Sequence, residues 1–225
     1  MIKISSKNKT IYGSIDLESS KSISNRLLVI KALCKTKFRI QNLSNAKDTK
    51  ILNELLDSFN KRIDLNCEDA GTTLRFLIAF LATKDGIWKV SGSKRMHERP
   101  VKPLIDCLKE LGAEIKYLEK EGFPPIEIKS KKLKSKKLSL PGDISSQFIS
   151  ALLLVAPTIE NGLTLEITSK VLSKPYIAMT LGLMSEFGIE YSWENNVIKV
   201  EQQNYIGKNI EVENDWSAAS FWYSF

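Results

Sequence analysis

Lys21, Ser22 and Arg26 lie in Ser19-Ser20-Lys21-Ser22-Ile23-Ser24-Asn25-Arg26, which runs on into the apolar stretch Leu27-Leu28-Val29-Ile30. Hydroxyl residues ahead of an apolar run cap a helix by accepting from its free N–H groups. With Lys21 in the first turn, Ser22 and Arg26 stand at i and i+4 on one face. A helix start is electropositive and offers unpaired donors, so it is already an anion site. Two cations added at that end are unfavourable unless an anion sits between them. The chemistry on offer is the grip of a phosphate or a carboxylate. The plain alternative is a capped surface helix with a solvated Lys and Arg.

The device recurs. Asp69-Ala70-Gly71-Thr72-Thr73-Leu74-Arg75 opens the run Phe76-Leu77-Ile78-Ala79-Phe80-Leu81-Ala82, and Pro141-Gly142-Asp143-Ile144-Ser145-Ser146-Gln147 opens Phe148-Ile149-Ser150-Ala151-Leu152-Leu153-Leu154. Three helices thus begin with small or hydroxyl residues, and two carry an Arg one turn in. Each candidate has a structural alternative. Ser145 and Ser146 can merely cap a helix, Lys174-Pro175 can merely start one, and Gly71 can serve a tight turn. Arg75 can pair with a structural carboxylate, and Arg99 can pair with Glu98 or Asp106.

In order and spacing, Lys21 to Arg26, Ala70 to Arg75, Arg95-Met96-His97-Glu98-Arg99-Pro100, Ser145-Ser146-Gln147 and Ser173-Lys174-Pro175-Tyr176 resemble the 5-enolpyruvylshikimate-3-phosphate synthase (EPSP synthase) family. The likeness extends through Asp215-Trp216-Ser217-Ala218-Ala219-Ser220, yet it spans only about the first half of that family's length. It implies transfer of an enolpyruvyl group from phosphoenolpyruvate to the 5-hydroxyl of shikimate 3-phosphate with release of phosphate. No metal or organic cofactor is implied. Carried over motif by motif, shikimate 3-phosphate is expected at Lys21, Ser22, Arg26, Ser145, Ser146, Gln147 and Ser173, with Tyr176 beside its ring. Phosphoenolpyruvate is expected at Lys21, Gly71, Arg99 and Gln147. Lys21, common to both, is the catalytic candidate. Asp69 stands where the family has Asn, and His97 where Lys is commoner. The family's acid/base carboxylates lie in the half not represented, so the partners implied are the two substrates and that C-terminal half, and the chain alone is expected to be inactive. The related enolpyruvyl transferase that acts on UDP-N-acetylglucosamine fits the Lys-Ser-x-Ser-Asn-Arg and Ser-Ser-Gln motifs poorly.

A chain of 225 residues, 43% hydrophobic and 26% charged, has the make-up of a soluble globular protein with a sizeable core. A net charge of +7 and a pI near 9.2 point to anionic partners. Cys34, Cys67 and Cys107 show no paired spacing, as expected of free thiols in the cytoplasm. His97, the single histidine, leaves no basis for a zinc site or a histidine triad. Neither a secretory leader nor a membrane-spanning run is expected. Lys129-Ser130-Lys131-Lys132-Leu133-Lys134-Ser135-Lys136-Lys137 reads as a solvated, flexible connection. A basic nucleic-acid-binding module is the rival of another class, although the run lacks interleaved aromatics for base stacking.

The elements that must position these residues follow from periodicity. Strands are expected at 2–5, 11–17, 37–41, 87–91, 114–118, 125–129, 163–167, 189–193 and 197–201, with another leading from Leu138. Helices are expected at 21–34, 46–59, 72–83, 145–156 and 175–187, and one from Pro100 to Leu111. This reads as a β-α-β-α-β-β unit used about three times, the first copy trimmed near 60–68. The helices at 72–83 and 145–156 are apolar nearly all round and should be buried. The fold class expected is α/β, with the resemblance implying an inside-out domain of buried helices and outer sheets; an ordinary α/β sandwich stays open. Residues 18–212 are expected to form that domain. Residues 1–17 and 213–225, the latter an apolar capped helix, are expected to belong to a second domain that is mostly absent.

Overall fold

The computed structural model describes residues 12–129 and 132–224. Two units of the same plan account for most of it. In one, β2 (Asp64–Asn66), α3 (Gly71–Ala82), β3 (Ile87–Ser91), α4 (Lys102–Glu110), β4 (Glu114–Tyr117) and β5 (Ile126–Lys129) give a sheet of order β2-β3-β5-β4. In the next, β6 (Lys137–Leu140), α5 (Ser146–Val155), β7 (Leu163–Ile167), α6 (Lys174–Glu186), β8 (Tyr191–Glu194) and β9 (Val197–Val200) give β6-β7-β9-β8. Each sheet has one parallel pair, β2 with β3 and β6 with β7, completed by antiparallel strands. Burial alternates along the strands, as at Leu163, Leu165 and Ile167, because only one sheet face is covered.

The covering layer is helical. In α3 every residue except Thr72 is buried, and in α5 burial is unbroken from Phe148 to Val155. These two meet α1 (Lys21–Leu33) at the centre. Around them α2 (Lys47–Ser58) touches α1 and α3, α4 touches α3 and α5, and α6 touches α5 and α1. Helices inside and sheets outside is therefore the arrangement, as expected.

The first unit differs from its siblings. Its strand β1 (Ile40–Gln41) pairs in parallel with β10 (Ile210–Glu211), a strand from far along the chain. Residues 60–68 are not the trimmed end of that unit: Asp64–Asn66 is the first strand of the next one. The strand expected at 37–41 shrinks to Ile40–Gln41, residues 12–17 form no strand, and residues 2–5 lie outside the described residues. Pro100 does not start α4. Val101 caps that helix with φ −129° and ψ −4°, and Pro103 takes the early position. After β10, α7 (Trp216–Trp222) leaves Trp216, Phe221 and Tyr223 more than two-thirds exposed.

Among the described residues of the lysine run, Lys129 and 132–137, side chains and backbone are tied to neighbouring elements. Lys129, Lys132, Lys136 and Lys137 sit 3.8, 3.2, 3.0 and 2.9 Å from Glu114, Glu160, Glu110 and Glu166. Lys134 N and Ser135 N donate to Leu111 O and Glu160 O.

Candidate functional site

The site lies where helices begin. One cavity of about 450 Å³ is walled by Lys21 and Ser22 of α1, Thr72 of α3, Ser145, Ser146 and Gln147 at the start of α5, Tyr176 of α6, and Asp215 and Ser217 of α7. The first turn of α2 is drawn in because Lys21 Nζ lies 3.7 Å from Asp48 Oδ2 and Thr73 Oγ1 donates to Asp48 O at 2.9 Å. The entry to α4 is drawn in by a 3.2 Å bond from Arg75 Nη2 to Pro100 O. A separate cavity near Leu33, Lys84 and Pro157 marks the other ends of α1, α3 and α5. Those three helices thus run the same way, and their positive ends converge on one face.

Local sequence explains each start. Ser20 Oγ accepts from Ile23 N, and Ser145 Oγ accepts from Gln147 N at 3.4 Å. Arg26 is buried and donates from Nε to Thr180 Oγ1 at 2.7 Å and from Nη1 to Ser22 O at 2.8 Å. Its Nη2 donates to Ser150 Oγ at 3.1 Å and to Tyr176 O at 3.3 Å. Arg75 donates from Nη1 to both Gly71 O and Gln147 Oε1, each at 2.9 Å. Burial pushes both guanidinium groups down to about 10, and Arg99 adds to the effect at Arg75. Both therefore stay charged at neutral pH. Among the described residues neither meets a carboxylate, so both leave positive charge uncancelled behind the cavity wall.

Seven of the sequence-named residues line this cavity: Lys21, Ser22, Arg26, Ser145, Ser146, Gln147 and Tyr176. Ser173 precedes the first residue of α6, three residues before Tyr176, makes no side-chain capping bond and is not on the wall. Arg99 lines a second cavity of about 500 Å³ with Asp69, Arg95, Met96 and Glu98. Gly71 joins the two places. A Cβ there would come within 2.8 Å of Arg75 Nη1 and closer still to Arg99 Nη1, so the missing side chain is what lets two guanidinium groups close over the backbone. Asp69 accepts from Ser93 Oγ. His97 Nδ1 lies 3.7 Å from Glu119 Oε2, beside the turn that carries Arg99.

Sequence reasoning passed over Asn25, Thr72, Asp215 and Ser217, which also line the first cavity. Asn25 is the most telling of these. It is 1% exposed, its Oδ1 accepts from Thr49 Oγ1 at 2.8 Å, and its buried Nδ2 has no partner among the described residues. Its position inside the Lys21–Arg26 motif was the available signal. Asp215 caps α7 by accepting from Ser217 N at 2.8 Å, and that capping pattern concealed its place at the cavity.

The family model of EPSP synthase (3-phosphoshikimate 1-carboxyvinyltransferase) matches residues 5–64 and 58–225. The 3-phosphoshikimate 1-carboxyvinyltransferase of Bacteroides fragilis (strain YCH46) is 45% identical over 214 residues, covering 95% of this chain and 52% of the relative. That of Cellvibrio japonicus is 37% identical over 235 residues, covering 93% and 55%. The fold matches a solved EPSP synthase from Acinetobacter baumannii with a TM-score of 0.82 at 20% identity, covering 93% of this chain and 51% of that one. The chain spans about half the length of the curated relatives it matches. With a family match along nearly its whole length and relatives of this identity, the chain belongs to the EPSP synthase family.

Proposed function

We propose that the chain carries the shikimate 3-phosphate side, and part of the phosphoenolpyruvate side, of an enzyme that transfers an enolpyruvyl group to the 5-hydroxyl of shikimate 3-phosphate. In that reaction the hydroxyl oxygen bonds to the central carbon of phosphoenolpyruvate and inorganic phosphate leaves. One observation carries the reading: residues from four distant segments, around 21–26, 72, 145–147 and 176, meet on one cavity walled by helix starts. Serine hydroxyls and helix N–H groups suit phosphate oxygens; Ser173, off the wall at the start of α6, joins that set only if the turn before Tyr176 moves inward. Lys21 supplies a mobile charge between the ligands, while Gly71, Arg99 and Gln147 hold the phosphate or carboxylate of phosphoenolpyruvate.

Residues 18–212 are then one domain, and residues 1–17 and 213–225 belong to a second one. The exposed Trp216, Phe221 and Tyr223 support this, since stable domains rarely leave such a face bare. Proton transfer to the methylene carbon needs positioned acid/base groups, which that second domain would supply. A cytoplasmic setting fits the free Cys34, Cys67 and Cys107. No helix among the described residues is long and apolar enough to cross a membrane. The nucleic-acid reading is weakened, since Lys129, Lys132, Lys136 and Lys137 each face a glutamate at the surface.

Calorimetry with shikimate 3-phosphate, and phosphate release with both substrates, test the proposal. The chain alone should bind the sugar phosphate and release no phosphate. Adding a separately made C-terminal half should restore turnover. Failure of the sugar phosphate to bind would overturn the assignment, and robust turnover by the chain alone would overturn the division of labour.

A further inference from the structure

We infer that Arg75 is a positioning residue that holds the Gln147 side-chain amide by its oxygen, leaving Nε2 to donate to a bound anion. The inference rests on the functional reading above. Arg75 is 4% exposed, and its Nη1 donates to Gln147 Oε1 and Gly71 O at 2.9 Å while Nη2 donates to Pro100 O at 3.2 Å. A primary amide can offer either end to a ligand, and its oxygen would repel an anion. Guanidinium has donors and no acceptor, so it selects the oxygen and turns the NH₂ outward. Gln147 lines the cavity, so the NH₂ is presented where an anion would sit. One side chain thereby links Gly71, Gln147 and the entry to α4, next to Arg99.

Fold stability alone does not account for an arginine here. Its guanidinium stacks over the Phe148 ring at 5.0 Å and is buried among carbonyls and an amide. A methionine of similar length would pack there without a buried, unneutralised charge, although Gly71 O, Gln147 Oε1 and Pro100 O would each lose a donor. The comparison with Arg26 sharpens the point. Arg26 also bonds back to a first-turn carbonyl, but its other partners are Thr180, Ser150 and Tyr176 O. Arg75 alone of the two spends a donor on a side chain of the candidate site that lines the cavity.

The test uses the whole chain with Arg75→Met, Arg75→Lys, Gln147→Ala and the Met/Ala double variant. Shikimate 3-phosphate affinity is read by calorimetry, thermal midpoint by scanning calorimetry, and the Gln147 side-chain NH₂ by ¹⁵N NMR. Arg75→Met should weaken binding about tenfold, the scale of one charge-assisted hydrogen bond, and shift or broaden the Gln147 NH₂ signals. Arg75→Lys should recover part of the affinity. In the Gln147→Ala background the Met substitution should cost no further affinity. Full additivity of the two substitutions, or unchanged affinity with a lowered midpoint, would overturn the inference. Should Arg75→Met fail to fold, the Lys variant decides the matter by the same readouts. Should the unaltered chain not bind the sugar phosphate, the functional reading falls first. The NMR signals then still decide positioning: unmoved Gln147 NH₂ signals in an Arg75 variant refute it, and shifted ones support it.

Discussion

At the scale of single residues, Gly71 and Arg26 show two ways in which a side chain can matter to an anion site. Gly71→Ala adds only a methyl, and its nearest neighbours are the ends of the Arg99 side chain and of the buried, hydrogen-bonded Arg75. The fold should keep its thermal midpoint within a few degrees, while phosphoenolpyruvate binding weakens as both guanidinium groups are pushed aside; calorimetry on the reassembled halves checks this. Arg26→Met should instead lower folding stability by about 2–4 kcal/mol, because Ser150, Thr180 and Tyr176 O lose a buried charged donor. Urea denaturation measures that loss. Much of the residue-level site was legible, since Lys21, Ser22, Arg26, Ser145, Ser146 and Gln147 stand in short contiguous motifs. The partners of Arg26 were not. Apart from Ser22 O one turn back, they lie 124 to 154 residues away, and nothing in the local sequence links them. Arg75 was left between function and structure for the same reason, as its bond to Gln147 spans 72 residues.

At the scale of elements, the repeat assigns equivalent places to different residues. Gly71 and Arg75 of α3 and Ser146 and Ser150 of α5 are matching i, i+4 pairs, each the first and fifth residue after the cap, and Ser22 and Arg26 form the like pair one residue further into α1. The place in α5 holds Ser150, which receives Nη2 of Arg26 instead of adding a third buried cation. The inner helices were readable because all-round apolarity has one outcome, burial. Leu77 of α3 is fully buried, so Leu77→Ala should cost about 2–5 kcal/mol in urea denaturation. By contrast, Lys132, Lys136 and Lys137 pair at the surface with side chains 76%, 55% and 58% exposed. Replacing all three by Ala should change stability by about 1–2 kcal/mol at most, since such pairs are individually weak. The strand β1 was read as the end of a longer one at 37–41, whereas the two-residue β10 was illegible, for an alternation of period two cannot declare itself in two residues.

At the scale of the whole molecule, the first unit is held in register with the others by pairings far along the chain as well as by the packing of α1. That unit takes its parallel partner strand from β10, and the segment before α1 is fastened to the segment after β10. Ser20 N donates to Glu213 O at 2.9 Å and Asp215 N donates to Glu18 O at 2.8 Å. A chain truncated after Lys208 should therefore lose the shikimate 3-phosphate binding proposed above while α3, α5 and their sheets stay folded, which amide hydrogen exchange would report. The Ile40–Ile210 pairing also sets a timetable for synthesis. Ile40 leaves the ribosome about 170 residues ahead of its partner, a delay of roughly 10–35 s at ordinary translation rates. Nascent chains stalled before residue 210 should carry a protease-resistant second unit and a protease-sensitive first one, so the segment bearing Lys21 and Arg26 is the last to be secured and the one most in need of protection while it waits.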